Sequence, residues 1–278
     1  MEIQKRTLGK TGFEGTILGL GGEGILRTFG YDQAASNLIN CAIDLGLNYF
    51  ESARAYSGSE AYYGLALKER RKAVFLTSKS HARDKKGAMG HLRQTLHNMK
   101  TDHLDLWQVH DVRTREDVDR IFGPNGAIEA FVEARDKGMT RLIGVTGHHD
   151  PLILRRCIEI FDFDTVLLPV NPAEPAYKSF LELVIPVANQ KGMGVIGMKV
   201  YLRGMAARLP WCKSMGPFYR YALSQPITTA VIGCDSTGQL EENVGFAKSF
   251  SPMSDEEQRE LEEAVAPFAR SLAYYKAP

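Results

Sequence analysis

The chain has 278 residues, 44% hydrophobic and 24% charged, with a formal net charge of +1. That balance can bury a large core and leaves no basic excess for a nucleic-acid or anionic-membrane surface. The N-terminus lacks the apolar core of a secretory signal, no apolar run could span a bilayer, and Cys41, Cys157, Cys212 and Cys234 form no C-x-x-C pair; a cytoplasmic protein with reduced thiols and no membrane partner is expected.

A short hairpin is predicted first, with Arg6-Thr7-Leu8 and Phe13-Glu14-Gly15 flanking turn residues 9–12. Eight strand-like runs come next, at 17–21, 48–51, 73–78, 104–110, 141–145, 165–170, 194–200 and 228–233. They alternate with helical periodicity over 32–45, 59–70, 86–99, 127–137, 151–161, 179–190, 219–224 and 237–248. Short apolar strands alternating with helices predict parallel strands and right-handed crossovers. Eight such units in this length favour a closed (β/α)₈ TIM barrel over an open sheet, as one domain covering 1–278. A last helical segment over 255–275 is expected to pack outside it.

The stretch Gly19-Leu20-Gly21-Gly22-Glu23-Gly24 fits the G-x-G-x-x-G dinucleotide fingerprint, but helical periodicity begins only near Asp32. In a Rossmann unit the helix starts within the glycines, so that its N-terminus meets the pyrophosphate. The required context is missing. The glycines read instead as the end of the first barrel strand, where backbone can approach a ligand.

Polar residues at the C-terminal ends of barrel strands surround the active site in this architecture. Four stand at such places: Glu51 ends the second strand, Tyr56 lies in the loop after it, Lys79 ends the third and His110 ends the fourth. Their types suit carbonyl reduction. A tyrosine hydroxyl is a weak acid, with a pKa near ~10. A neighbouring ammonium favours its phenolate form and so promotes proton donation. A carboxylate holds that ammonium charged and oriented, and a histidine can donate to the substrate oxygen. His148-His149-Asp150 is read as a helix start, with Asp150 capping and Pro151 first, rather than as a metal site, since adjacent histidines lack the i, i+4 spacing. Trp107 reads as core. Trp211 reads equally well as pocket wall or surface.

With these residues in place, nearly the whole chain resembles the aldo-keto reductase family. The likeness runs through RTLGKTGFEGTILGLGG, AIDLGLNYFESARAYSGSEAYYGLAL, VFLTSKS, DHLDLWQVH, RLIGVTGH and ITTAVIGCDSTGQLEENV. It implies a barrel that binds an extended nicotinamide dinucleotide without a Rossmann fold. Tyr56, Lys79 and His110 match the family's catalytic positions, and Glu51 stands where aspartate is usual. For the cofactor, the resemblance implies Gly22, Thr146, Asn171, Met198 and Lys199 toward the nicotinamide half. Thr146-Gly147-His148 replaces a usual serine-asparagine-aromatic run. Leu167 replaces a glutamine, which leaves Asn171 for the carboxamide, and Met198 replaces a stacking aromatic. Ser236, Gln239, Glu242 and Asn243 match the adenosine and phosphate end, where Ser236 also reads as a helix cap. NADP(H) is the family default. No arginine stands in GCDSTGQLEEN to meet a 2′-phosphate, so NAD(H) stays open.

The activity implied is reduction of an aldehyde or ketone to an alcohol, with Tyr56 as general acid and a small-molecule carbonyl as substrate. The alternative is a low-turnover protein that senses nicotinamide cofactor. Oligomeric state is not legible in the sequence.

Overall fold

The computed structural model describes residues 2–276. Two strands, β1 (Lys5–Thr7) and β2 (Glu14–Thr16), pair antiparallel around a 3₁₀ turn at Gly9–Thr11. Eight more run parallel: β3 (Leu18–Gly24), β4 (Tyr49–Glu51), β5 (Phe75–Ser80), β6 (Leu104–Val109), β7 (Thr140–Thr146), β8 (Thr165–Pro169), β9 (Gly194–Met198) and β10 (Thr229–Cys234). They close in chain order, with β10 against β3. This is the expected (β/α)₈ TIM barrel. Strands such as β5 and β6 are buried along their whole length, which is why they read as continuous runs rather than as alternation.

Helices between strands start and stop on local chemistry. Asp150 Oδ1 accepts from Leu152 N at 2.9 Å, with Pro151 as the first helical residue of Pro151–Ile160. Helix Asp32–Asp44 turns Ala35, Leu38, Ile39 and Ala42 toward the barrel, at the spacing of one helical face. Where the elements differ from expectation, a cause is visible. The helix expected over 179–190 splits into Phe180–Leu183 and Ile185–Gln190, because Pro186 has no N–H to continue the ladder. The long last helix breaks into Asp255–Val265, a 3₁₀ turn at Ala266–Phe268 carrying Pro267, and Ala269–Leu272. A further helix, Arg115–Phe122, capped by Thr114, stands in the loop after β6 where no element was expected.

The hairpin closes the N-terminal end of the barrel. Leu8 is fully buried among Tyr49, Phe75, Leu106, Leu167, Ile196 and Val231, the inward residues of the strands. Arg6 ties the hairpin down by donating to the carbonyls of Ile227 and Leu223. The opposite, C-terminal end stays open, and the polar strand ends gather there.

Among the described residues no helix is long and apolar enough to cross a membrane. All four cysteines are free thiols. Trp107 is buried, with its ring 3.7 Å from that of Phe131. Trp211 stacks at 6.1 Å on Phe218, away from the barrel mouth.

Candidate active site

The open end holds a cavity of about 680 Å³, walled by the ends of the eight barrel strands β3–β10, with Leu167 from β8, by loop residues after them and by the helix Thr237–Lys248. Glu51, Tyr56, Lys79 and His110 come together at its floor, as the strand order demands. Lys79 Nζ lies 2.9 Å from Glu51 Oε1, donates to Ser52 O at 2.9 Å and reaches Tyr56 Oη at 3.5 Å. The extra methylene of Glu51 therefore does not cost the ion pair. The Tyr56 ring meets His110 edge to face at 5.9 Å.

Electrostatics sharpen the roles. Burial pushes the Tyr56 phenol well above its usual value; Glu51 and Glu23 push the same way and Arg27 opposes them. The sequence alone suggested a net pull toward phenolate from Lys79, but burial and the carboxylates of Glu51, Glu23 and Asp111 win. Tyr56 rests as a phenol. Burial lowers Lys79, and Glu51 works against that. His110 lies well below its ordinary value through burial, then through Lys79, so it is neutral at pH 7. Its Nδ1 is buried without a partner, which leaves Nε2 to meet a ligand.

The expected cofactor residues divide. Thr146, Met198, Lys199, Gln239, Glu242 and Asn243 line the cavity. Thr146 Oγ1 accepts from Asp111 N at 2.8 Å and keeps its hydrogen to donate. Asn243 Oδ1 accepts from Tyr201 Oη at 2.6 Å. Three others do something else. Gly22 does not line the cavity. A Cβ there would stand 2.7 Å from Glu51 O and 2.8 Å from Tyr56 Cδ2, so its bareness lets the tyrosine pack. Asn171 is buried, and its amide is spent inside the protein, donating to Lys199 O at 3.2 Å and Tyr275 Oη at 3.0 Å while its oxygen accepts from Ala173 N. Ser236 caps the helix Thr237–Lys248 by accepting from Gln239 N at 3.2 Å. Ser236 is held by the nearest unsatisfied backbone group at its helix start, whereas Asn171 is held by partners 28 and 104 residues away in the chain.

The G-x-G-x-x-G run lies wholly within β3 and leads into a 3₁₀ turn, Ile25–Arg27, not into a helix N-terminus. Gly24 is required for another reason: it sits at φ 68°, and a Cβ would stand 2.5 Å from Cys234 O.

Several wall residues went unread in the sequence. Arg27 lies over the Tyr56 ring at 5.1 Å and pairs with Glu23 at 2.8 Å. Asp111, at φ 54°, pairs with Arg113 at 2.6 Å and stands 3.4 Å from His148 Nδ1. Behind the wall, Tyr275 comes from the far end of the chain to meet Asn171 and Lys199. Only the adjacency of Asp111 to His110 was a usable signal.

The sequence model described as the Aldo/keto reductase family matches residues 17–209. The chain belongs to this family. Relatives of this aldo-keto reductase include the L-galactose dehydrogenase of Arabidopsis thaliana, 24% identical over 98% of this chain and 97% of that protein. Among solved structures, the holo form of aldo-keto reductase AKR11C1 from Bacillus halodurans superposes with a TM-score of 0.79 at 21% identity, covering 95% of this chain and 96% of that one. An aldo-keto reductase from Klebsiella pneumoniae in complex with NADPH gives 0.77 at 19% identity, covering 96% of each. The likenesses to solved structures bear on the fold. Membership in the aldo-keto reductases implies an oxidoreductase.

Proposed function

We propose that the protein reduces an aldehyde or ketone to an alcohol with a nicotinamide cofactor. The observation that carries this reading is the Glu51–Lys79–Tyr56 chain of contacts at 2.9 and 3.5 Å, with neutral His110 beside it.

The cavity fits a dinucleotide. Met198 offers a soft face for a nicotinamide ring, Thr146 offers a hydroxyl, and Lys199 offers an ammonium with no acceptor among the described residues. Gln239, Glu242 and Asn243 stand along the far wall for an adenosine. Asn171 does not contribute. When bound, the cofactor supplies the hydride that the carbonyl carbon accepts.

The chain's own residues handle the proton and the oxygen. His110 Nε2 donates a hydrogen bond to the carbonyl oxygen and orients it. Tyr56 Oη, held protonated by burial, gives its proton to the oxygen as negative charge develops there. Lys79 Nζ then donates to the phenolate left behind, and Glu51 keeps that ammonium in place. NAD(H) is the preferred form in this reading, against the family default. Asp235 and Glu242 line the end where a 2′-phosphate would sit, and the segment 233–243 that carries them has no arginine.

Tyr56→Phe tests the assignment. Turnover on a panel of aldehydes is expected to fall by about 10²–10⁴-fold, with cofactor affinity retained. Undiminished turnover would remove Tyr56 as the acid. Tight dinucleotide binding by the wild type with no turnover on any carbonyl would favour a cofactor sensor instead.

A further inference from the structure

β6 ends at Val109, so His110 opens a turn, 110–113, that has left the regular ladder of the barrel. The N–H groups of this turn are met by the strands on either side. His110 N donates to Ser80 O at the end of β5 at 2.9 Å, and Val112 N to Thr146 O at the end of β7 at 3.0 Å. Asp111 N donates to Thr146 Oγ1 at 2.8 Å. The carbonyls of His110 and Asp111 are met differently: both accept from one side chain. Arg83, three residues past the end of β5, donates through Nη1 to His110 O at 2.8 Å and through Nη2 to Asp111 O at 2.7 Å.

Arg83 is itself held. Its Nε and Nη2 meet Asp117 Oδ1 and Oδ2 at 2.9 and 3.3 Å, a two-pronged pair whose side chains are 12% and 22% exposed. The Arg83 carbonyl accepts from Ala127 N at 3.0 Å. Asp117 Oδ2 also accepts from Arg113 N at 2.9 Å, so the pair grips the turn at residues 110, 111 and 113. This gives the unexpected helix Arg115–Phe122 a purpose. Thr114 caps it by accepting from Asp117 N at 3.1 Å, and Asp117, fixed in that first turn, faces Arg83. A planar guanidinium with five N–H groups can serve two carbonyls and a carboxylate together; an ammonium is a point charge without that fork.

The turn needs such a grip. Asp111 sits at φ 54°, a left-handed conformation that persists where surrounding contacts over-determine it. The His110 ring depends on its backbone for another reason. Its Nδ1 is buried without a hydrogen-bond partner among the described residues, so no polar contact at that nitrogen sets the ring's angle. The backbone position and the edge-to-face packing on Tyr56 at 5.9 Å set it instead. A hydrogen bond to a reacting oxygen is directional, and a displacement of about 1 Å costs on the order of 10²-fold in rate.

We propose that Arg83, locked by Asp117, is a positioning residue: its guanidinium clamps the His110 and Asp111 carbonyls and so aims the His110 imidazole into the cavity. That this aim serves carbonyl reduction rests on the reading of function given above; the clamp does not.

The test uses the full-length protein and two readouts. The first is the His110 ring signal in the NMR spectrum of protein carrying ¹³C-labelled histidine, identified by its loss in His110→Asn and recorded at pH 7, where this ring is neutral. Arg83→Lys keeps the charge and removes the fork. It should displace the His110 signal and leave those of His97 and His103, outside the cavity, in place. The second is kinetic. On an aldehyde that the wild type reduces, Arg83→Lys should lower kcat/KM by about 10–100-fold with the Kd for NADH unchanged. An unmoved His110 signal overturns the clamp. A displaced signal with unchanged kcat/KM overturns its role in the reaction. If the wild type reduces no carbonyl, the functional reading fails and the His110 signal alone decides the clamp. If Arg83→Lys fails to fold, Asp117→Asn, which removes the locking charge at nearly constant shape, decides on the same readouts, with a smaller displacement and a smaller loss expected.

Discussion

Tyr56 and Lys79 show how far a side chain's chemistry depends on its surroundings. Both are buried, and burial disfavours the charged form of each. It keeps the phenol protonated and weakens the ammonium. Glu51 answers the second effect at 2.9 Å and adds to the first. Glu51→Gln removes a charge at nearly constant shape and should cause two shifts. Lys79 loses the group that raises it and titrates at lower pH, and Tyr56 loses a group that raises it. Both move the alkaline limb of a kcat profile the same way. Activity is expected to decline at a lower pH than in wild type, by at least one unit, with kcat reduced even at neutral pH. Steady-state rates from pH 6 to 10 check this; an unmoved alkaline limb would mean that neither residue controls it. The identities of Glu51, Tyr56, Lys79 and His110 were legible from strand-end position. The balance of their charges was not, because it is set by neighbours such as Glu23 and Arg27 that sequence spacing does not connect to Tyr56.

At the scale of elements, cofactor choice in the proposed reading rests on the loop and helix after β10. Ser236 and Gln239 are occupied with each other and with Asp235: Gln239 N donates to Ser236 Oγ at 3.2 Å, and Asp235 N donates to Gln239 Oε1 at 2.7 Å. This reciprocal cap fixes the turn and leaves the Asp235 carboxylate exposed at the cavity edge, where, in the proposed reading, it would repel a 2′-phosphate. Asp235→Ser combined with Gln239→Arg removes a negative charge and adds a donor fork for phosphate. The ratio of NADPH to NADH affinity is expected to rise by about 10–100-fold, read by fluorescence titration of both cofactors. A ratio unchanged within twofold would place the adenosine end elsewhere. The glycine run teaches the same dependence on context from the other side. It matches a helix-start motif letter for letter, yet all six residues are strand. The tract after the glycines is decisive: from Ile25 to Tyr31 it carries no helical periodicity, and that absence was legible in the sequence.

In the whole molecule, one end of the barrel is sealed and the other open, and the seal is the hairpin. Leu8 plugs the interior against the inward side chains of the barrel strands, a position no local pattern marks as special. Leu8→Ala opens a cavity in that plug. A loss of about 2–5 kcal/mol is expected in urea unfolding. Tyr56 and Lys79 lie at the opposite end, so turnover at 25 °C should change little. A loss under ~1 kcal/mol would mean that the plug collapses to fill the gap. The sequence by itself determined the alternation of eight strands and eight helices, and with it the barrel and the strand ends at which chemistry gathers, because hydrophobic periodicity and turn residues act over a few residues. It also set which residue types stand at the second, third and fourth strand ends. Only the tertiary structure decided that Asn171 serves Lys199 and Tyr275, that Gly22 makes room for Tyr56, and that Tyr275 and Lys276 return to the barrel mouth. Those choices are competitions between groups up to about a hundred residues apart for a limited number of buried hydrogen bonds, and the winners are set by three-dimensional proximity, which no local pattern encodes.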